Sequence, residues 1–270
     1  MKLLDNQVAI ITGAGRGVGR ATAELMAEHG ARIVVSDRDA EPAQEVVKAI
    51  QEKGGQAVAI CGSVTDPAFA KQLIDGTIAA FGQLDILVNN AGYTWDGMLH
   101  KMTDEQFQAM IDVHLTAPFR LIREASPYMR DAGKADIDAG RTVYRKIINV
   151  SSVAGEMGNV GQANYASAKA GVIGLTKTVA REWGQFNINC NAVSFGLIDT
   201  RLTQAKEMGE TFDGIPLGIP EKVKQMFAHS IPQKRAGSAE EAAAGIFYLA
   251  SPFSNYVNGQ VLSINGGWYT

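Results

Sequence analysis

The stretch VAIITGAGRGVGRATAELMAEHG (residues 8–30) joins a short apolar run to a glycine-rich turn and a helix-like segment. The apolar run stops at Thr12, as a fully buried strand does. Gly13, Gly17 and Gly19 lack side chains at the point where backbone N–H groups and a helix N-terminus can approach a pyrophosphate. We therefore predict a β-strand, a phosphate-binding turn and an α-helix at the start of the chain.

Strand-like and helix-like segments alternate strictly along the rest of the sequence. Helical patterns separate six further strand-like runs, at residues 32–36, 57–61, 85–89, 146–150, 188–193 and 260–264. This alternation predicts parallel strands, because right-handed crossovers place the helices on both faces of one sheet. We predict an α/β fold with a doubly wound, Rossmann-type sheet of seven parallel strands, forming a single domain over residues 1–270.

Two segments interrupt the regular spacing. Residues 131–144 are polar and are predicted to form a surface loop before the fifth strand. Residues 196–235 are rich in Gly, Pro and Met and follow the sixth strand. Ligands of open parallel sheets bind outside the carboxyl ends of the strands, and long irregular segments are often functional. We predict that residues 196–235 form a lid over the substrate.

The composition argues against several classes of function. The 270 residues carry a formal net charge of -3 without a basic cluster, which disfavours binding to nucleic acid or to an anionic membrane surface. No apolar run reaches the ~18 residues of a membrane span. The first predicted strand starts at Val8, leaving no room for a signal peptide, so we expect a cytoplasmic protein. Cys61 and Cys190 are predicted to be buried free thiols, and no metal site is predicted.

The nucleotide preference depends on the residues around the end of the second predicted strand. Asp37 ends that strand, where a carboxylate accepts hydrogen bonds from both hydroxyls of an adenosine ribose and repels a 2′-phosphate. Arg16 and Arg38 favour the opposite preference, because either guanidinium could reach a 2′-phosphate. We predict that NAD is preferred and retain NADP as the less favoured alternative.

Three groups suited to acid–base chemistry occur together in SSVAGEMGNVGQANYASAK (residues 151–169). Tyr165 and Lys169 are four residues apart, so they share one face if the segment is helical. A lysine beside a tyrosine favours the phenolate and brings its pKa of ~10 closer to neutral pH. Ser152 adds a hydroxyl just after the fifth predicted strand. By itself the Tyr–Lys spacing is more typical of a surface pair, and the other motifs decide between the two interpretations.

Several motifs occur here in a combination typical of one family. They are TGxxxGxG at residues 12–19, NNAG at 89–92, Ser152, YxxxK at 165–169 and NGGW at 265–268. With these motifs the chain resembles the short-chain dehydrogenase/reductase family over nearly its whole length. Ser152 precedes Tyr165 by thirteen residues, a spacing common in that family. The resemblance makes Ser152, Tyr165 and Lys169 candidate catalytic residues.

The resemblance implies a role for each matching position. Tyr165 would exchange a proton with the substrate oxygen while a hydride moves to or from the nicotinamide. Ser152 would position that oxygen, and Lys169 would lower the pKa of the phenol and hold the nicotinamide ribose. The implied cofactor-binding positions are Gly13, Arg16, Gly17, Val18, Gly19, Asp37, Arg38, Ser63, Val64, Asn90, Ala91, Gly92, Tyr165, Lys169, Gly196, Ile198 and Thr200.

Three departures from the family pattern concern the site. His114 stands where the family usually has an asparagine that kinks the helix and frees a backbone carbonyl for a water linked to the lysine. His114 could keep that backbone role as a packed residue, or add a group that titrates near pH 6.5. We include it among the candidate catalytic residues. Phe195-Gly196 replaces the usual Pro-Gly, and Ser63 replaces an aspartate often found near the adenine.

The substrate is less well defined by the sequence. Residues 158–165 are similar to those of 3-oxoacyl-thioester reductases and hydroxyacyl-CoA dehydrogenases. The predicted lid is apolar at residues 215–219, Met226 and Phe227. We predict an NAD-dependent dehydrogenase of a small molecule, either a hydrophobic or cyclic secondary alcohol or a 3-hydroxyacyl thioester. The alternative is an NADPH-dependent 3-oxoacyl-[acyl-carrier-protein] reductase.

Two further expectations concern protein partners. Reductases that act on the acidic acyl carrier protein tend to expose a basic residue at the end of the helix bearing Tyr and Lys, but residues 183–187 are uncharged here. Four basic residues elsewhere could compensate: Lys134, Arg141, Arg145 and Lys146. In the family, the helices corresponding to residues 107–130 and 163–184 pair across two-fold axes, so the resemblance implies a homotetramer.

Overall fold

Seven parallel strands form the main sheet of the computed structural model, which describes residues 2–270. The strands, in chain order, are β1 (Val8–Thr12), β2 (Arg32–Asp37), β3 (Gln56–Cys61), β4 (Ile86–Asn89), β5 (Arg145–Ser152), β6 (Ile188–Phe195), β7 (Thr211–Phe212), β8 (Ile215–Pro216) and β9 (Val261–Ile264). The main sheet has the order β3-β2-β1-β4-β5-β6-β9, and β7 pairs separately with β8. The predicted doubly wound, Rossmann-type α/β fold is confirmed.

Helices connect the strands and cover both faces of the sheet. Within residues 2–270 the α-helices are α1 (Gly17–Glu28), α2 (Ala40–Glu52), α3 (Phe69–Phe81), α4 (Asp104–Ile111), α5 (Ala117–Glu124), α6 (Ala132–Asp138), α7 (Val153–Met157), α8 (Ala163–Trp183), α9 (Glu221–Ser230) and α10 (Ala239–Ala250). Short 3₁₀ turns occupy Leu99–Lys101, Gly184–Phe186, Arg201–Thr203, Lys206–Met208 and Pro252–Ser254. None of these helices is both long enough and apolar enough to cross a membrane.

The central strands are buried on both faces, which explains why the sequence shows them as continuous apolar runs. Every residue of β1, β4 and β6 is buried. Ile11 belongs to an apolar cluster that includes residues of α1, α2 and α10. Its neighbour Ile10 belongs to a second cluster, with residues of α3, α5 and α8. Successive side chains of a strand point to opposite faces, so the two clusters are the two halves of the core.

The chain between β4 and β5 contains α4, α5 and α6, and a kink separates the first two of these helices. The kink is a π-helical turn at Asp112–Thr116 between α4 and α5. Pro118 follows the kink and lies in the first turn of α5, where the missing N–H of a proline is tolerated.

The prediction of a surface loop at residues 131–144 is wrong for its first half. A second π-helical turn, Pro127–Asp131, leads into α6. Asp136 of this helix is buried and pairs with Arg145 at 2.9 Å and with Arg141 at 2.7 Å. The pair with Arg145 fixes α6 against the start of β5, an attachment that local polarity in the sequence does not reveal.

The two cysteines have different environments. Cys190 lies in β6 and is buried, as predicted. Cys61 is exposed, so the prediction of a buried thiol is wrong there. The reason is topological, because Cys61 ends β3, which is an edge strand of the sheet. Both thiols are free.

Residues 196–235, predicted to be an irregular lid, have regular structure of their own. The hairpin of β7 and β8 lies in this segment, followed by α9. Isolated bridges connect Ala205 to Ile219 and Ile198 to Gly237. The segment is therefore held together internally and attached at its base beside the end of β6.

Candidate active site

A cavity of about 510 Å³ is formed by residues at and beyond the carboxyl ends of the sheet strands. Every catalytic and cofactor-binding position predicted from the sequence lines it: Gly13, Arg16, Gly17, Val18, Gly19, Asp37, Arg38, Ser63, Val64, Asn90, Ala91, Gly92, His114, Ser152, Tyr165, Lys169, Gly196, Ile198 and Thr200. Parts of the lid, including Phe212 and Phe227, complete the wall. The fold therefore brings the predicted site together, and the individual roles remain predictions.

The glycine-rich turn between β1 and α1 is packed against the end of β4. Gly13 and Gly17 have positive φ angles of 62° and 54°, which favour glycine. Asn90 donates from Nδ2 to Thr12 O at 2.9 Å and to Gly13 O at 3.1 Å. The amide group of Asn90 thus joins the turn to the sheet, and its contact with the cofactor stays a prediction.

The carboxylate of Asp37 is oriented by backbone donors. Its Oδ2 accepts from the N–H of Gly15 at 2.8 Å, and its Oδ1 accepts from the N–H of Asp39 at 3.1 Å. The two arginines that could have bound a 2′-phosphate are both paired with acids. Arg16 Nη1 lies 2.7 Å from Asp39 Oδ2, and Arg38 pairs with Asp213 of the lid. This end of the cavity therefore presents paired rather than free guanidinium groups.

Ser152, Tyr165 and Lys169 come from β5 and α8, which are joined at this point. Ser152 Oγ accepts from the N–H of Ala154 at 3.2 Å and caps α7. Ser151 Oγ donates to Lys169 O at 2.9 Å, which fixes the first turns of α8 against the strand. Lys169 Nζ donates to Val150 O at 2.6 Å. These bonds set the relative positions of the three candidate catalytic groups.

Burial, rather than the neighbouring lysine, dominates the electrostatics of the pair. Burial raises the pKa of Tyr165 to about 12, against the opposing effect of a hydrogen bond with the Ser152 side chain. Burial also lowers the pKa of Lys169 to about 7. Lys169 Nζ lies 5.5 Å from the centre of the Tyr165 ring. Burial therefore favours the neutral phenol, and the effect of Lys169 on the pKa of Tyr165 stays a prediction.

His114 lies in the π-helical turn, where the sequence comparison with the family placed a kink. Its buried ring contacts Tyr165 edge-on, with ring centroids 5.0 Å apart, and its Nε2 lies 2.8 Å from Tyr93 O. A Cβ on Gly92 would lie 2.2 Å from the ring, so a glycine is needed there. Burial holds the pKa of His114 well below its usual value, and the charge of Lys169 acts in the same direction. These observations favour a packed, neutral histidine.

We expect His114→Asn to leave the acidic limb of the pH–rate profile unchanged. The lowered pKa of His114 means that the ring is already neutral at pH 6.5 and releases no proton there. The measurement is kcat/KM of both proteins between about pH 5 and 8. An acidic limb that moves in the variant would show that His114 titrates during catalysis.

Several residues of the site were missed by the sequence analysis. Asp96 accepts from Gln162 Nε2 at 3.1 Å, and both line the cavity near Tyr165. Desolvation raises the pKa of Asp96, and its charge in turn raises the pKa of Tyr165. No local pattern marks Asp96 or Gln162, because they meet only through the fold. The Asp-Gly pair at residues 213–214, in contrast, is a hairpin signal that the sequence analysis could have used.

Comparisons with known proteins agree with this geometry. A family model described as enoyl-(acyl carrier protein) reductase matches residues 13–269. Similar curated proteins include the 3-oxoacyl-[acyl-carrier-protein] reductase FabG of Thermotoga maritima, 38% identical over 264 residues that cover 98% of each chain. The protein of the same name from Staphylococcus epidermidis is 37% identical over 265 residues, covering 98% of this chain and 99% of the relative. That of Vibrio cholerae is 36% identical over 267 residues, covering 98% of each.

These similarities, together with the doubly wound sheet and the cavity at its carboxyl edge, define an oxidoreductase of the nicotinamide-dependent class, acting on CH–OH or keto groups. The chain belongs to the short-chain dehydrogenase/reductase family. The resemblance drawn from the sequence motifs is thus confirmed.

Proposed function

We propose that the protein interconverts 3-oxoacyl and 3-hydroxyacyl thioesters by hydride transfer, with reduction as the principal direction. The observation that carries this proposal is the full-length similarity to proteins named 3-oxoacyl-[acyl-carrier-protein] reductase. The hydrophobic or cyclic alcohol favoured by the sequence analysis has no support among these relatives. The alternative prediction, a 3-oxoacyl reductase, fits them better.

A dihydronicotinamide held in this cavity would supply the hydride for the 3-oxo carbon. Tyr165 donates its phenolic proton to the carbonyl oxygen, and Ser152 donates a hydrogen bond to the same oxygen. Burial keeps the Tyr165 phenol neutral, so it carries the proton that the substrate oxygen accepts. Lys169, held by its bond to Val150 O, binds the nicotinamide ribose.

We propose NAD(H) as the preferred cofactor. The oriented carboxylate of Asp37 supports this preference, since it offers oxygens to ribose hydroxyls and negative charge to a 2′-phosphate. The pairing of Arg16 with Asp39 and of Arg38 with Asp213 supports it further. Both guanidinium groups would have to leave a carboxylate before they could bind a phosphate.

The acyl group could be carried by an acyl carrier protein or by coenzyme A, and different observations support each carrier. The names of the relatives support an acyl carrier protein. The charges near α6 support coenzyme A as a second candidate. The basic residues that could compensate for the uncharged end of α8 are mostly paired with acids or buried. Arg141 and Arg145 pair with Asp136. Lys146 is buried, donates to Asn189 at 2.9 Å, and has a pKa lowered to about 8 by burial.

We also propose a homotetramer located in the cytoplasm. The apolar side chains left exposed on the single chain support self-association. They include Phe107 and Phe119 in α4 and α5, and Phe253 and Tyr256 near the C-terminus. The two free cysteines support a reducing compartment.

A substrate panel tests the proposed function. Initial rates are measured in both directions, with NAD(H) and NADP(H), for 3-oxoacyl and 3-hydroxyacyl esters of coenzyme A and of acyl carrier protein, and for cyclic alcohols and ketones. We expect kcat/KM for the thioesters to exceed that for the cyclic compounds by at least about tenfold, or ~1.4 kcal/mol of transition-state binding. Faster turnover of the cyclic compounds would contradict the proposed substrate. A tenfold or greater preference for NADP(H) would contradict the argument from Asp37.

A further inference from the structure

A two-residue turn shapes the tip of the lid hairpin. Asp213 and Gly214 join β7 to β8, with positive φ angles of 50° and 78°. An Asp-Gly pair with both φ angles positive is the favoured turn for a two-residue hairpin, so the tip has a defined conformation. It places Phe212 and Asp213 in the wall of the cavity.

The hairpin tip contacts the nucleotide-binding edge of the sheet through Arg38. The guanidinium carbon of Arg38 lies 4.2 Å from the centre of the Phe212 ring, and its Nη1 donates to Asp213 Oδ2. Tyr93 stacks on Phe212, with ring centroids 4.5 Å apart. Arg38 directly follows Asp37, the residue expected at the adenosine ribose. The lid therefore contacts Arg38, whose side chain lies beside the predicted nucleotide site.

We propose that Asp213 of the lid helps to select NAD(H) over NADP(H) by engaging Arg38. The inference deepens, and rests on, the cofactor preference proposed above. Arginine binds phosphate through a planar array of N–H donors. To present that array to a 2′-phosphate, Arg38 has to leave Asp213 and unstack from Phe212. Asp213 is thus a specificity-determining residue that lies far in the sequence from the glycine-rich turn and Asp37.

The charged side chains around Arg38 also disfavour binding of a 2′-phosphate. Asp37, Asp39 and Asp213 all interact with Arg38, so three carboxylates surround one guanidinium group. Arg16 and Arg201 also line the cavity, and both are paired with carboxylates, Arg16 with Asp39 and Arg201 with Glu210. A 2′-phosphate would therefore meet a net negative environment, whereas NAD(H) lacks that phosphate and is not penalised.

The experiment compares the Kd values of NADH and NADPH by fluorescence titration in the wild type and in Asp213→Asn. Asparagine tolerates the left-handed conformation and so preserves the turn. We expect NADPH to bind about 3- to 10-fold more tightly in the variant, since an exposed ion pair is replaced by a charge-assisted contact with the phosphate. The Kd of NADH should stay the same within about twofold.

Two further variants separate this effect from general loosening of the lid. Glu207→Gln removes another lid carboxylate, which accepts from the N–H of Glu221 at 3.2 Å and does not line the cavity, and it should leave the ratio of the two Kd values unchanged. Arg38→Met combined with Asp213→Asn should abolish the gain for NADPH. The inference is overturned if Asp213→Asn leaves the ratio unchanged, if Glu207→Gln produces the same gain, or if the gain persists without Arg38.

The proposed function is tested separately by the wild type alone. A wild-type protein that prefers NADPH, or that does not reduce 3-oxoacyl thioesters, contradicts the proposed function however the variant behaves. A wild type that behaves as proposed, with a ratio that does not respond to Asp213→Asn, contradicts only the role of Asp213.

Discussion

Replacement of Tyr165 by phenylalanine is expected to lower kcat for thioester reduction by about 10²- to 10⁴-fold, the usual contribution of one positioned acid–base group. The variant keeps the ring that His114 contacts edge-on at 5.0 Å. It removes only the hydroxyl that would protonate the substrate oxygen. The Kd of NADH should therefore stay the same while turnover is lost. Steady-state rates and a fluorescence titration of NADH measure the two quantities.

The matched control for this variant is Tyr248→Phe, which removes a phenolic hydroxyl from α10, outside the cavity. Its kcat should equal that of the wild type. A Tyr165→Phe protein that retains more than about a tenth of wild-type kcat would exclude Tyr165 as the proton donor.

The same experiment tests the alternative that the protein is a nucleotide-sensing regulator, which kept the fold but lost the chemistry. Such a protein has no need of Ser152, Tyr165 and Lys169 together, and its partner binding should not respond to the change.

Gly19→Ala is expected to weaken both the fold and cofactor binding. A Cβ at this position would lie 2.2 Å from Gly13 O and 2.6 Å from Asn90 Nδ2. The backbone of the turn and its bond to Asn90 would have to move, and such overpacking costs about 1–3 kcal/mol. We expect Tm to fall by about 2–12 °C and the Kd of NADH to rise by at least about tenfold. Thermal unfolding and fluorescence titration measure these changes.

The chain offers a control for the same substitution in a helix. Gly174 lies in α8, and a Cβ there would meet no atom within 4 Å. Alanine is more favourable than glycine in a helix interior by about 0.5–1 kcal/mol, so Gly174→Ala should keep or slightly raise Tm. Equal Tm and Kd values for Gly19→Ala and Gly174→Ala would contradict this prediction. They would show that close packing around Gly19 does not require a glycine in the turn.

The parts of this protein that were predictable from its sequence are those set by local patterns. The apolar runs predicted the sheet, because buried parallel strands need continuous apolar residues. The glycine spacing at residues 13–19 predicted the turn, because only a turn without side chains can pack as closely as the structure shows at Gly19. The spacing of Tyr165 and Lys169 predicted one helical face, and both residues line the cavity.

The parts that were not predictable depend on contacts between distant segments. Residues 131–144 look like a loop until Asp136 meets Arg145 on the neighbouring strand. The proximity of Tyr165 and Lys169 suggested a lowered pKa for the phenol, but that pKa depends on how much water the surrounding chain excludes. Likewise, nothing near Arg38 in the sequence indicates its partner Asp213.

The strand order has a consequence for how the chain reaches its structure. β1 is hydrogen-bonded to β2 on one side and to β4 on the other. Three helices, α1, α2 and α3, separate β1 from β4 along the chain. While the chain is being synthesised, β1 therefore keeps one open, apolar edge until residues 86–89 have left the ribosome. Non-local parallel pairing of this kind slows folding, and open strand edges promote aggregation. We therefore expect that edge to be open to aggregation in the interval between the synthesis of β1 and that of β4.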